Sequence, residues 1–336
     1  MKKFVFFSKK WYKIITIRNR TGVKKMILVY LCLILGLALL IYGGNLLVDN
    51  SVAIAKKIGL STLFIGLVLV GFGTSTPEMV TSLASVLQGS NGIAVGNVIG
   101  SNTANILLVL GLAAFIHPIN IDIHSFKRDG FILGLSTIML ICVMLYGTIT
   151  RIIGLIFVLT LILYIVYSFY MDKKNSKNTS SSETTNISFN KNIWLALIKA
   201  IIGIGLTCGG AYLLVENAKI LALHWGISEA VIGLTIVAVG TSLPELAASV
   251  IASYKKENGV AFGNVFGSNI YNALFILGSV ALILPIQMPE EMMKNTIIMA
   301  IVTSVLCLTA LTVKKVSRLM GFLFLCAYTV YIGYLF

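Results

Sequence analysis

Two glutamates concentrate the chemistry of this sequence. Glu78 closes the segment GTSTPE (73–78) and Glu245 closes GTSLPE (240–245). Both lie near the middle of long apolar runs, where a carboxylate is costly and marks function by default. Thr74 and Ser75 stand four and three residues before Glu78, so the three share one helix face, and Thr241, Ser242 and Glu245 repeat the spacing. Pro77 and Pro244 each remove an amide donor and clash with the carbonyl four residues back. A helix break is expected there, leaving carbonyls around 71–74 and 238–241 without intrahelical partners. Inside a bilayer such carbonyls persist only when buried in protein or turned to a wet cavity, and a cation satisfies them directly.

A second pair of segments adds further oxygens. In GNVIGSNTAN (96–105) Ser101 and Asn105 are spaced i, i+4, and in GNVFGSNIYN (263–272) Ser268 and Asn272 match them. Gly96, Gly100, Gly263 and Gly267 allow neighbouring helices to approach closely, so this motif alone reads equally well as helix packing with polar glue. Its recurrence beside a mid-membrane Glu-Pro break favours binding. The donors are all oxygen or amide, with no His or Cys to favour zinc or copper. Calcium takes six to eight oxygens in flexible geometry, and two carboxylates neutralise one divalent ion. Sodium is similarly hard and close in size, so the same oxygens suit both. Mutually exclusive occupation of one anionic centre is what an exchanger requires.

The elements that must position these residues are membrane spans. The 336 residues are 57% hydrophobic and 11% charged, with mean hydropathy +0.95, whereas a soluble domain carries about a quarter charged residues. A span needs about 20 apolar residues. Ten such runs are expected, at 26–48, 60–88, 93–116, 130–147, 152–171, 193–215, 228–254, 260–284, 295–312 and 319–336. No soluble catalytic domain fits in the remainder. The five cysteines stand singly in apolar runs and read as small buried hydrophobes. His117, His124 and His224 lack metal-ligand spacing and are given no role. The net charge of +14 would suggest nucleic acid for a soluble protein. Here it follows the positive-inside rule: alternate loops carry 14 and 3 basic residues, which places 49–59, 117–129, 172–199, 255–259 and 313–318 inside. Residues 1–25 hold nine basic residues and no acid, against that polarity. They read as a basic N-terminal extension upstream of a start at Met26, the other account being an interfacial helix.

The chain is also duplicated. Both motif pairs are 167 residues apart, as are LLVDN (46–50) and LLVEN (213–217). Each copy holds five spans, an odd number, so the second copy enters from the opposite side. The expected fold is an all-α integral membrane protein of ten transmembrane helices. These form two inverted five-helix repeats, 26–171 and 193–336, joined by a polar cytoplasmic linker at 172–192.

With these paired motifs the chain resembles the sodium/calcium exchanger family of the cation/calcium antiporter superfamily, in its prokaryotic form with two alpha-repeats. The resemblance covers residues 26–336. It implies calcium and sodium as transported ions held by Glu78 and Glu245, with Thr74 and Thr241 as calcium ligands. It further implies that Ser75, Ser242, Ser101 and Ser268 help to hold sodium, that the carbonyls of Gly71 and Ala238 are ligands, and that Asn105 and Asn272 line the centre. Some members carry Asp where this chain has Asn272, which weakens a case for potassium cotransport. An alternating-access antiporter of the cell membrane follows, with the lipid bilayer as its setting. It is not an enzyme and needs no organic cofactor, nucleic acid or obligatory protein partner. A proton/calcium exchanger on the same scaffold is the alternative. A channel suits two lone glutamates in inverted repeats less well, and intramembrane peptide hydrolysis would leave the hydroxyls and carbonyls without a task.

Overall fold

The computed structural model describes residues 22–179, 193–226 and 238–335. The described chain is almost wholly helical. In order it forms α1 (Gly22–Ile58), α2 (Thr62–Thr74), α3 (Thr76–Leu87), α4 (Asn91–Ile116), α5 (Ile123–Tyr146), α6 (Arg151–Thr179), α7 (Ile193–His224), α8 (Ala238–Thr241), α9 (Leu243–Tyr254), α10 (Asn258–Ile283), α11 (Met293–Thr312) and α12 (Arg318–Leu335). Eight of these are long and apolar enough to cross a membrane, and α2 with α3 makes a ninth span bent by 43°. The expected span at 228–254 is represented by α8 and α9; its first part lies outside the described residues, as do residues 1–21 and most of the expected linker. The protein is an all-α, multi-pass membrane protein.

Several boundaries differ from expectation. The first membrane-length segment begins at Met26 as expected, but it runs on to Ile58 rather than ending at residue 48. Helix α6 continues to Thr179, so residues 172–179 of the expected linker are helical. Asp172, 6% exposed, anchors the start of that stretch. Its carboxylate accepts from the Ser61 amide (2.6 Å) and hydroxyl (2.8 Å), while the Ser61 hydroxyl accepts from the Phe64 amide and caps α2. The cysteines are all unpaired, but none is fully buried, and Cys142 and Cys326 are exposed. Lipid takes the place of a core on a helix's outer face, so an apolar side chain there needs no burial.

Four two-residue strands, absent from an all-helical expectation, fix the relation between the halves. They are β1 (Ile119–Asn120), β2 (Thr148–Ile149), β3 (Ile286–Gln287) and β4 (Lys315–Val316). The 167-residue offset makes β1 equivalent to β3 and β2 equivalent to β4. The observed pairs are instead β1 with β4 and β2 with β3, both antiparallel. Strands β1 and β2 sit at opposite ends of α5, which at 1.5 Å per residue is about 36 Å long. Equivalent strands therefore lie at opposite ends of the bundle, as an inverted duplication requires.

Glycines bring the helices together in the same symmetric way. Helices α1 and α7 cross antiparallel where Gly36 meets Gly210 and Gly43 meets Gly203; a Cβ on Gly43 would come within 2.7 Å of the Thr207 amide nitrogen. Helix α2 lies against α10, with Gly71 backed by Ser268 and Gly267 backed by Leu67. Such backbone proximity is how membrane helices gain packing without a hydrophobic driving force.

Candidate cation-binding site

The two glutamates sit at the same point of each half. Ser75 (ψ 7°) separates α2 from α3, and Ser242 (ψ 7°) separates α8 from α9, so Glu78 and Glu245 each fall in the first turn of the following helix. The proline beside each sits in that first turn, where its missing N–H costs nothing. Among the described residues three wide π-helical turns, Gly66–Gly71, Asn105–Leu110 and Tyr271–Ile276, flank the motifs. Such turns recur at functional sites.

Both glutamates are fully buried. The halves are tied across the centre. Ser75 Oγ donates to Glu245 Oε1 at 3.0 Å, Thr74 Oγ1 donates to Asn264 Oδ1 at 3.2 Å, and Ser268 Oγ donates to the Gly71 carbonyl at 3.3 Å. The hydroxyls of Thr74 and Ser268 also lie against Glu245, and that of Ser242 lies against Glu78. Asn105 and Asn272 are fully buried in α4 and α10. Thr241 is half-buried in α8, Ser101 is buried in α4, and Ala238 opens α8. Among the described residues no hydrogen bond joins Ser101 to either glutamate.

One expectation is corrected. The Gly71 carbonyl is not left free by Pro77: it accepts from the Ser75 amide at 3.2 Å as well as from the Ser268 hydroxyl, and Gly73 accepts from the Thr76 hydroxyl at 2.8 Å. The chain bends at Ser75 instead of breaking open, because neighbouring hydroxyls take the freed acceptors.

The buried acids divide into two kinds. Asp129 is held by Arg128 (2.5 and 3.0 Å) and by the Tyr164 hydroxyl (2.9 Å), and Asp172 by Ser61. Their charge is spent on structure. By contrast, both carboxylate oxygens of Glu78, Glu245 Oε2, Asn105 Oδ1, Asn272 Oδ1 and Ser242 Oγ are buried without a hydrogen-bond partner among the described residues. Buried polar atoms are nearly always paired, so these unmatched oxygens are candidates for a ligand that the protein does not itself supply. Oxygen donors around two carboxylates fit a hard cation.

The motif spacing also contained a signal that went unused. Asn97 Nδ2 donates to the Glu78 carbonyl (3.2 Å) and to Ser82 Oγ (2.9 Å); Asn264 Nδ2 donates to the Glu245 carbonyl (3.1 Å) and to Ser249 Oγ (2.8 Å). All four residues obey the 167-residue offset. These asparagines fasten each glutamate-bearing helix to its neighbour, and outer-shell groups of this kind typically change metal affinity 10–100-fold. Asn264→Ala is expected to weaken calcium affinity about tenfold, measured by isothermal titration in detergent; unchanged affinity would remove Asn264 from the scaffold.

A many-span helical bundle with two fully buried glutamates among unmatched oxygens has the make-up of an ion-translocating membrane protein. The sodium/calcium exchanger protein family matches residues 28–170 and 195–336, once per half, and the chain belongs to that family. It is 34% identical to the putative antiporter CaxA of Alkalimonas amylolytica, over 88% of this chain and 93% of that one. It is 33% identical to the sodium/calcium exchanger MaX1 of Methanosarcina acetivorans, over 91% and 98%. A solved structure of the sodium-calcium exchanger NCX_Mj superposes with a TM-score of 0.79 at 33% identity, covering 93% of this chain and 100% of that one. The chain is thus a cation/calcium exchanger and a transporter, not an enzyme.

Proposed function

We propose that this chain exchanges sodium for calcium across the cell membrane, both ions competing for one centre formed by Glu78 and Glu245. Thr74, Thr241, Ser75, Ser242, Ser101, Ser268, Asn105, Asn272 and the Gly71 and Ala238 carbonyls surround that centre. Ten spans in two inverted repeats, 26–171 and 193–336, carry it, with the lysine-rich loops inside. The observation that carries the reading is the contrast between Asp129 and Asp172, fully paired, and Glu78, with both carboxylate oxygens unmatched. Uncompensated buried carboxylates are severely unfavourable, so the empty centre resists crossing the low-dielectric barrier and each passage takes a passenger. Obligatory exchange follows from that penalty. MaX1 and NCX_Mj are sodium/calcium exchangers by name, and their similarity over nearly the whole chain supports sodium as the driving ion.

The test is uptake of radiolabelled calcium into proteoliposomes. An outward sodium gradient is expected to drive accumulation at uniform pH, while a pH gradient in sodium-free buffer is expected to drive none. The reverse pattern would assign the proton/calcium reading, and calcium leak independent of any counter-ion would assign a channel.

A further inference from the structure

Helices α4 and α10 carry two asparagines, Asn102 and Asn269, that are equivalent under the 167-residue offset and touch each other. Asn102 Nδ2 donates to the Asn269 carbonyl at 3.2 Å, and Asn105 Nδ2 donates to Asn269 Oδ1 at 3.1 Å. Applying the offset to these two bonds gives an equivalent pair: Asn269 Nδ2 to the Asn102 carbonyl, and Asn272 Nδ2 to Asn102 Oδ1. Neither is made. The three side-chain atoms they would use, Asn269 Nδ2, Asn272 Nδ2 and Asn102 Oδ1, are all buried without a partner among the described residues.

Two inverted repeats have a simple property. If each adopts the other's conformation, the molecule opens to the opposite side, and every asymmetric contact between halves is replaced by its equivalent. The atoms orphaned here are therefore the ones the opposite-facing state pairs. We propose that Asn102 and Asn269 are positioning residues of a two-state carboxamide switch. In the state described here Asn105 is held and Asn272 is free toward the centre; in the opposite state Asn272 is held and Asn105 is free. The inference rests on the exchanger reading above for its two facings, but not on which ion is carried.

The facing can be read at the surface. Ala247 on α9 is 9% exposed and packs with Leu40 of α1 and Ala211 of α7, whereas its equivalent Val80 on α3 is 59% exposed, so segments 80–89 and 247–256 report which side α1 and α7 cover. Hydrogen–deuterium exchange of the full chain in detergent, without sodium or calcium, measures their relative protection. Asn105→Leu removes a bond made only in the present arrangement, and Asn272→Leu removes one made only in the other. A net hydrogen bond shifts an equilibrium about fivefold. The ratio of exchange at 247–256 to exchange at 80–89 is expected to rise by roughly that factor in Asn105→Leu and to fall by it in Asn272→Leu. Asn102→Ala deletes one bond from each arrangement and is expected to leave the ratio within about twofold. If a leucine variant does not fold, the corresponding alanine variant replaces it with the same expected direction. Shifts of the same sign in both variants, no shift in folded protein, or an Asn102→Ala shift as large as either would overturn the switch. Calcium uptake by Glu78→Gln and Glu245→Gln is scored separately, so a misassigned ion centre is distinguishable from a failed switch.

Discussion

Glu78→Gln or Glu245→Gln is expected to cut sodium-driven calcium uptake at least about a hundredfold, to the level of protein-free vesicles, with both proteins still inserting and folding. The magnitude follows from burial. Removing one partner from a desolvated charge arrangement costs about 3–5 kcal/mol, because low-dielectric surroundings screen the loss poorly. Glutamine keeps the volume of each side chain and one acceptor oxygen, so packing around these fully buried positions is preserved. The centre then carries one negative charge against a divalent ion, and the excess positive charge opposes passage through the bilayer. Glu245→Gln retains an acceptor for the Ser75 hydroxyl, so the bridge between halves survives and the defect is electrostatic. Size-exclusion profiles matching the parent protein, with uptake at background, are the expected pair of results. Normal uptake in either variant removes that glutamate from the site.

The second large effect falls on a residue that touches no ion. Gly267→Ala on α10 is expected to reduce exchange about a hundredfold and to lower the thermal midpoint in detergent. A Cβ at Gly267 would run into the Leu67 carbonyl and approach the Leu67 Cα to 2.8 Å. These are backbone atoms of α2, which no rotamer change can move. Overpacking of this sort costs about 1–3 kcal/mol, and relief requires α2 and α10 to separate. The Ser268–Gly71 and Thr74–Asn264 bonds, at 3.3 and 3.2 Å, span that interface. A displacement of about 1 Å at a positioned site costs on the order of a hundredfold in rate. Gly205→Ala is the control: it lies on the exposed face of α7, and a Cβ there meets nothing within 4 Å. Equal activity of the two variants would show that close α2–α10 contact is not required.

Much of the candidate centre stands out in the sequence because duplication prints the same constraint twice. Glu78 and Glu245, Thr74 and Ser75 with their equivalents, and the Gly-Ser-Asn segments recur at one offset, and a carboxylate amid apolar residues has few explanations besides function. The scaffold asparagines Asn97 and Asn264 obeyed the same offset. They were passed over because a polar residue in a glycine-rich motif does not announce which backbone carbonyl it meets. Helix ends were less legible. Helix α6 extends to Thr179, and Asp172 at the start of that stretch reaches Ser61, a contact between residues 111 positions apart. Local composition there reads only as a polar linker.

Sequence alone determined the class of protein, the duplication, its inverted sense and the two acids, since these depend on apolar length, residue spacing and the parity of the span count. Tertiary structure alone decided which buried acids are spent on structure and which are left unmatched, and which of two equivalent contacts is made. Asp129 and Glu78 are both buried carboxylates in helices; only the packing of α5 against α6 hands Asp129 a tyrosine, while Glu78, just after the α2–α3 bend, has both carboxylate oxygens unmatched. Partner choice is a matter of long-range geometry, which residue order specifies only through the folded whole.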